Sequence, residues 1–248
     1  MPAELRRALR ATAVPVTVPA SSSVLLPSPG PATAPEGPHR APLLVMRTLM
    51  TNHHYATLLN ALEVPEEGDG MSLYINAKNP AFPLRYDPAA GRYRVRPGWE
   101  DHPVVGVPWL GARLAAEALG GRLFSEDEWE HCATAGFAGR TYPWGETEPS
   151  ETAANFGENV GSTTPVGAYP ANALGFTDMA GNAEEWTSDR FTPHRRDRDT
   201  PSAPETYEKV VKGGAWNKSA ALLACSARRG RWYIAGSASI GFRVVWEG

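Results

Sequence analysis

Apolar positions follow a helical period in three stretches of this chain and then lose it. After Thr51, the residues Tyr55, Leu58, Leu59 and Leu62 fall at i, i+3, i+4 and i+7, which predicts a short amphipathic helix with Thr51 as its N-cap. A second helix is expected to open at Pro108-Trp109, since proline fits the first turn, and to run to about Leu119. Gly120-Gly121 stops it, as glycine past a helix C-terminus does. Ser125-Glu126-Asp127-Glu128 then reads as a capping box, so a third helix starts there, carries Trp129, Cys132 and Ala133, and ends near Gly136.

The strand signals are shorter. Val14-Pro15-Val16-Thr17-Val18 alternates like an edge strand, where Pro15 is tolerable, and Leu43 to Leu49 predicts a second strand. Leu84-Arg85-Tyr86 and Tyr93-Arg94-Val95 flank Asp87-Pro88-Ala89-Ala90-Gly91 and predict a hairpin. Residues 1–40 are rich in Pro, Ala and Ser, which favours extended or irregular, partly mobile backbone over helix. From Gly136 onward no helical period persists; Gly, Pro, Asn and Trp recur in short runs. Such a half must satisfy its backbone polar groups by side-chain caps or metal ions instead of ladders.

Composition narrows the classes. With 248 residues, 42% hydrophobic content and eight Trp, the chain can bury one large core, and we expect a single domain over 41–248 preceded by the 1–40 segment. A net charge of -3 with interspersed signs gives no basic footprint, so no nucleic-acid partner is expected. Pro15 and Pro19 interrupt any apolar run after Arg6, Arg7 and Arg10, so neither a leader peptide nor a membrane span is expected, and a cytoplasmic location follows. Cys132 and Cys225 alone are too few for a disulfide scaffold or a Cys-rich zinc site.

Gly181-Asn182-Ala183-Glu184-Glu185-Trp186, Lys212-Gly213-Gly214-Ala215-Trp216 and Gly241-Phe242-Arg243 follow one another in that order. Ahead of them stand Asp101 to Trp109, Arg122 to Glu130, Tyr142-Pro143-Trp144-Gly145, Ala154-Asn155 and Pro165-Val166-Gly167. These blocks resemble the formylglycine-generating-enzyme, or sulfatase-modifying-factor, family, over roughly Val14 to Gly248. The resemblance implies an α+β fold of the C-type-lectin-like kind, with few helices packed on small twisted antiparallel sheets. It also implies structural calcium held by oxygen ligands. One site would use the side chains of Asp178 and Glu185 with the carbonyls of Gly181 and Ala183. The other would use Asn155 and Glu158 side chains with the carbonyls of Phe156 and Val160.

What the resemblance does not supply is the copper site. Family members that use Cu(I) bind it through two thiolates, which soft Cu(I) requires. The matching positions here hold Lys218 and Leu223, so formylglycine generation by that route is not expected. Cys225 and Cys132 match instead a structural pair, read here as buried small hydrophobes in preference to a disulfide. The non-heme-iron members use three His, largely from a helical domain outside this resemblance. His53 and His54 point roughly 100° apart on a helix and do not make one site. His54, His102 and His131 are the candidates for a site assembled in space, with Lys218 or His102 as an alternative acid/base group.

Arg228, Arg231 and Trp232 cluster between the second and third blocks and are the candidate substrate contacts, since Arg forks onto carboxylates and stacks on aromatic rings. Arg229 and Arg231 are read equally as surface ion-pair partners, and Trp144, Trp186 and Trp216 as core. The resulting expectation is a diverged oxidoreductase, using iron or copper and oxygen on an amino-acid-derived metabolite or peptide in specialised metabolism. The alternative is a non-catalytic module that binds such a ligand on the same calcium-stabilised fold.

Overall fold

The computed structural model describes residues 2–18, 42–65, 73–75, 82–193, 207–234 and 236–248. Its helices are α1 (Pro2–Ala11), α2 (Asn52–Ala61), α3 (Trp109–Ala118) and α4 (Glu126–Thr134). The strands are β1 (Val14–Val16), β2 (Leu43–Val45), β3 (Leu84–Asp87), β4 (Arg92–Val95), β5 (Glu184–Arg190), β6 (Glu208–Lys212), β7 (Arg229–Trp232), β8 (Ile240–Gly241) and β9 (Val245–Glu247).

Local chemistry sets the helix ends. Thr51 caps α2, its hydroxyl accepting from the His54 backbone N–H at 3.2 Å. At α4 both arms of the capping box form: the Glu128 N–H donates to Ser125 Oγ at 3.3 Å and the Ser125 N–H to Glu128 Oε2 at 2.9 Å. Pro108 is the N-cap of α3, and α4 closes at Ala135, which takes a left-handed φ of 54°. The helix α1 corrects the expectation of irregular backbone at the start of residues 1–40. Pro2 opens it, Glu4 and Arg10 suit its dipole, and Leu5 and Leu9 bury one face in the main core. The proline-rich stretch beyond, 19–40, lies outside the described residues.

Three sheets carry the rest. An antiparallel sheet of order β1-β2-β9 joins the two ends of the sequence, with Val14 opposite Val45 and Val45 opposite Val245. Pro15 sits in its edge strand, where a missing N–H is harmless. The β3–β4 hairpin pairs Tyr86 with Tyr93 as expected. The third sheet, β7-β6-β5-β8, is antiparallel except for the β5–β8 pair and supports the long motif blocks. No helix among the described residues is long and apolar enough to cross a membrane.

Two buried ion-pair systems tie these pieces. Arg243 lies wholly out of solvent, its Nε 3.0 Å from Glu185 Oε2, while its terminal nitrogens donate to the carbonyls of Arg47 and Thr177. Lys212 Nζ lies 2.6 Å from Glu130 Oε1 and 3.9 Å from Glu126 Oε1, and Arg228 Nε donates to Glu126 Oε1 at 2.8 Å. Gly181 allows a close loop crossing, because a Cβ there would lie 2.5 Å from the Asn155 carbonyl oxygen.

Arg243→Ala is expected to destabilise the fold by about 3–5 kcal/mol, because it strands a buried carboxylate. Chemical denaturation with the slope held constant measures it; a loss below about 1 kcal/mol, the range of exposed pairs, would show that this pair contributes little.

Candidate active-site groove

Strand β5 carries two consecutive glutamates, and the period of a strand sends them to opposite faces. Glu185 turns inward to Arg243. Glu184, 2% exposed, turns toward the edge strand β7 and pairs with Arg229 at 3.0 Å. Arg231 follows two positions on and shares the Arg229 face. Lys218 joins them from the loop after Trp216: its carbonyl accepts from the Gly157 N–H at 2.8 Å and its own N–H donates to the Ala215 carbonyl at 2.9 Å.

The charges act on one another. Burial pushes the Glu184 carboxyl above its ordinary value, against the opposing pull of Arg229, Lys218 and Arg231. Burial likewise lowers the Lys218 ammonium, which Glu184 and the exposed Glu158 favour and Arg229 and Arg231 oppose. The candidate groove is this half-buried cluster, in which three cations act on one buried carboxylate. Trp232 and Tyr207 are exposed and stacked with ring centroids 6.2 Å apart, Trp232 lying on the face of β7 opposite Arg229 and Arg231.

The other sequence candidates are placed as follows. Arg228 forks onto Glu126 at 2.8 and 3.2 Å and donates to the Thr192 carbonyl, so its guanidinium is held by protein groups. His54 Nδ1 lies 2.9 Å from Thr51 Oγ1, and His102 Nδ1 lies 3.0 Å from Thr163 Oγ1, its ring tilted on Trp99. Burial lowers the pKa of these two and of His131, which stands near the end of α4. Among the described residues no three or more His, Cys, Asp or Glu side chains are grouped to hold a metal, so these histidines are not brought together. Of the three tryptophans read as core, Trp186 is fully buried, whereas Trp144 and Trp216 are half-buried.

The copper positions do not fit copper. Lys218 is an ammonium in the groove, and Leu223 is fully buried beside Tyr142, Ala154 and Ala180. Cys132 and Cys225 are free buried thiols in one apolar cluster. Burial raises both, Cys225 to about 12.

In the first calcium set the carboxylates already have protein partners: both Glu185 oxygens accept from Arg243 Nε, at 3.1 and 3.0 Å. Asp178 Oδ2 accepts from the Gly167 N–H at 2.7 Å and Oδ1 from Asn182 Nδ2 at 3.1 Å. Its charge also reaches Glu185, so one guanidinium stands against two buried carboxylates. In the second set, Asn155 Oδ1 is buried with no hydrogen-bond partner among the described residues. Phe156 lies beside it, Val160 is exposed, and Glu158 holds a left-handed φ of 64°.

Residues 16–248 match the sulfatase-modifying factor enzyme 1-like domain. The chain belongs to the sulfatase-modifying-factor family. The serine/threonine-protein kinase Pkn1 of Chlamydia trachomatis serovar L2 is 39% identical over 162 residues, covering 63% of this chain and 26% of that protein. The hercynine oxygenase of Mycolicibacterium smegmatis is 36% identical over 162 residues, 59% of this chain and 38% of its own length. The formylglycine-generating enzyme of Bos taurus is 34% identical over 164 residues, 58% and 44%. The chain thus spans less than half the length of these curated relatives. Among solved structures, CarF superposes with a TM-score of 0.67 at 19% identity, covering 95% of this chain and 98% of that one. PvdO from Pseudomonas aeruginosa gives 0.62 at 23%, covering 95% and 91%. These likenesses establish the fold as the α+β, C-type-lectin-like architecture of formylglycine-generating enzymes.

Glu184 is the groove residue that the sequence reading passed over. Its signal was available: two adjacent acids in an alternating strand take opposite faces, so each needs its own cationic partner.

Native protein at about pH 8, where an ordinary thiol is partly ionised, is expected to resist alkylation at Cys132 and Cys225 and to become reactive at both on unfolding. Rapid native modification followed by mass spectrometry would contradict the burial described.

Proposed function

We propose that this sulfatase-modifying-factor domain recognises an amino-acid-derived metabolite or a peptide in the groove over Glu184. The supporting observation is the buried Glu184 carboxylate ringed by Arg229, Lys218 and Arg231. A desolvated carboxylate accepts from an ammonium or amide group, and cations beside it hold an acid; together they suit ligands that carry both. Titration with free amino acids and short peptides, read by tryptophan fluorescence, tests this. A saturable response to at least one ligand, weakened in Glu184→Gln, is expected. No response from any of them refutes the reading.

The second reading is an oxidative enzyme acting on that ligand, favoured by the 36% and 34% identities to a hercynine oxygenase and a formylglycine-generating enzyme. The thiolates that would hold Cu(I) are replaced by Lys218 and Leu223, and no step through that metal follows from these residues. Dioxygen uptake that requires the bound ligand supports oxidation over recognition alone, and its absence with or without added iron or copper removes it.

Calcium belongs to this reading as a structural support. Asp178, Glu185 and the carbonyls of Gly181 and Ala183 would hold one ion, and Asn155, Glu158 and the carbonyls of Phe156 and Val160 a second. Calcium would stabilise the fold by about 2.7 kcal/mol at roughly one hundred times its Kd. The expected result is a Tm higher in calcium than in chelator, with the gain reduced in Asp178→Asn and in Asn155→Ala. Equal Tm in both conditions sinks the assignment.

A further inference from the structure

We infer that Lys218 and Arg231 form a carboxylate-binding subsite within the groove. The inference rests on the recognition reading above and adds the group that the ligand must carry. Three observations support it.

Charge is unevenly satisfied. Of the cations around Glu184, Arg229 is paired with it at 3.0 Å. Neither Lys218 nor Arg231 has an acidic partner within 4.0 Å among the described residues. Arg231 Nε is moreover buried with no hydrogen-bond partner among those residues. An unmade buried donor leaves the Arg231 guanidinium without a protein acceptor to offset its desolvation.

Both backbones are anchored. Arg231 lies in the β6–β7 ladder opposite Lys209. The Lys218 backbone is bonded to Gly157 and Ala215. Arg231 presents a planar fork and Lys218 a point charge, so a planar acid with two oxygens can use both.

The balance of charge selects the anion. The groups that act on one another here are Lys218, Arg229 and Arg231 against Glu184 and Glu158, a surplus of one positive charge. A carboxylate neutralises that surplus. A phosphate dianion overshoots it and places a second negative charge near the buried Glu184 carboxylate.

Backbone amide chemical-shift titration tests the subsite with three probes: N-acetylglycine, its neutral counterpart N-acetylglycinamide, and inorganic phosphate. The acid is expected to shift resonances of the groove saturably and the amide much less, with Kd for the acid raised about tenfold in Lys218→Gln and in Arg231→Gln. Lys218→Arg, which keeps the charge, is expected to restore most of the binding, and unchanged dispersion of the spectra shows that the variants fold. Equal binding of acid and amide, no loss in either glutamine variant, or no saturable response to the acid overturns the subsite. A response to phosphate stronger than that to the acid overturns the choice of carboxylate. The amino-acid and peptide titration decides the groove itself independently of these outcomes.

Discussion

The fold depends on a guanidinium that has no access to water. Arg243 receives Glu185 on one side and gives its remaining donors to the carbonyls of Arg47 and Thr177, so one side chain joins the loop after β2, the loop before β5 and β5 itself. Arg243 itself stands 196 residues from Arg47 in sequence. A buried ion is tolerated only when its donors are spent, and here they are. The consequence reaches the groove through geometry alone. Once Glu185 is committed inward, the pleat of β5 must turn Glu184 outward toward β7, and Glu184 then positions Arg229.

The loop-rich half replaces ladders with single bridging side chains. Asn182, itself at a left-handed φ of 61°, accepts from the Thr164 N–H at 2.9 Å, donates to the Thr164 carbonyl and Asp178, and through its own N–H meets the Asn155 carbonyl at 2.8 Å. The Trp216 N–H then donates to the Asn182 carbonyl, which brings the loop bearing Lys218 beside β5. Backbone groups that would otherwise be orphaned are satisfied by one amide and its neighbours. The same loop crossing demands glycine at 181 and sets Asp178 next to Asn182, so support and candidate calcium ligands come from one motif.

The helices were legible wherever a cap and a period coincided, as at Thr51 and Ser125, because both signals are local. The helix α1 was not, because the proline-rich composition of residues 1–40 masked two leucines spaced by a single turn. Arg228 illustrates the limit for sites. Its type and its neighbours suggest a ligand contact, yet its partner Glu126 stands 102 residues earlier, and no local pattern reports a pairing across that distance. Lys218 was legible as a misfit in a metal position and as a candidate acid/base group; its neighbours Glu184 and Arg231 come from separate strands and meet only in the fold.

That misfit carries the functional argument. A thiolate pair offers soft negative donors to a soft cation, so replacing one by an ammonium and the other by a buried leucine reverses the sign of what the position attracts. Reversal alone would leave Lys218 and the two arginines repelling one another in a half-buried groove. The buried Glu184 offsets part of that repulsion and, by pairing with Arg229, takes one cation out of competition. What remains is a half-buried cationic notch between Lys218 and Arg231. An anion completes such a notch electrostatically, whereas a bare cation adds to the repulsion within it. The charges that suit the proposed acidic ligand are therefore the ones that do not suit a bare metal ion.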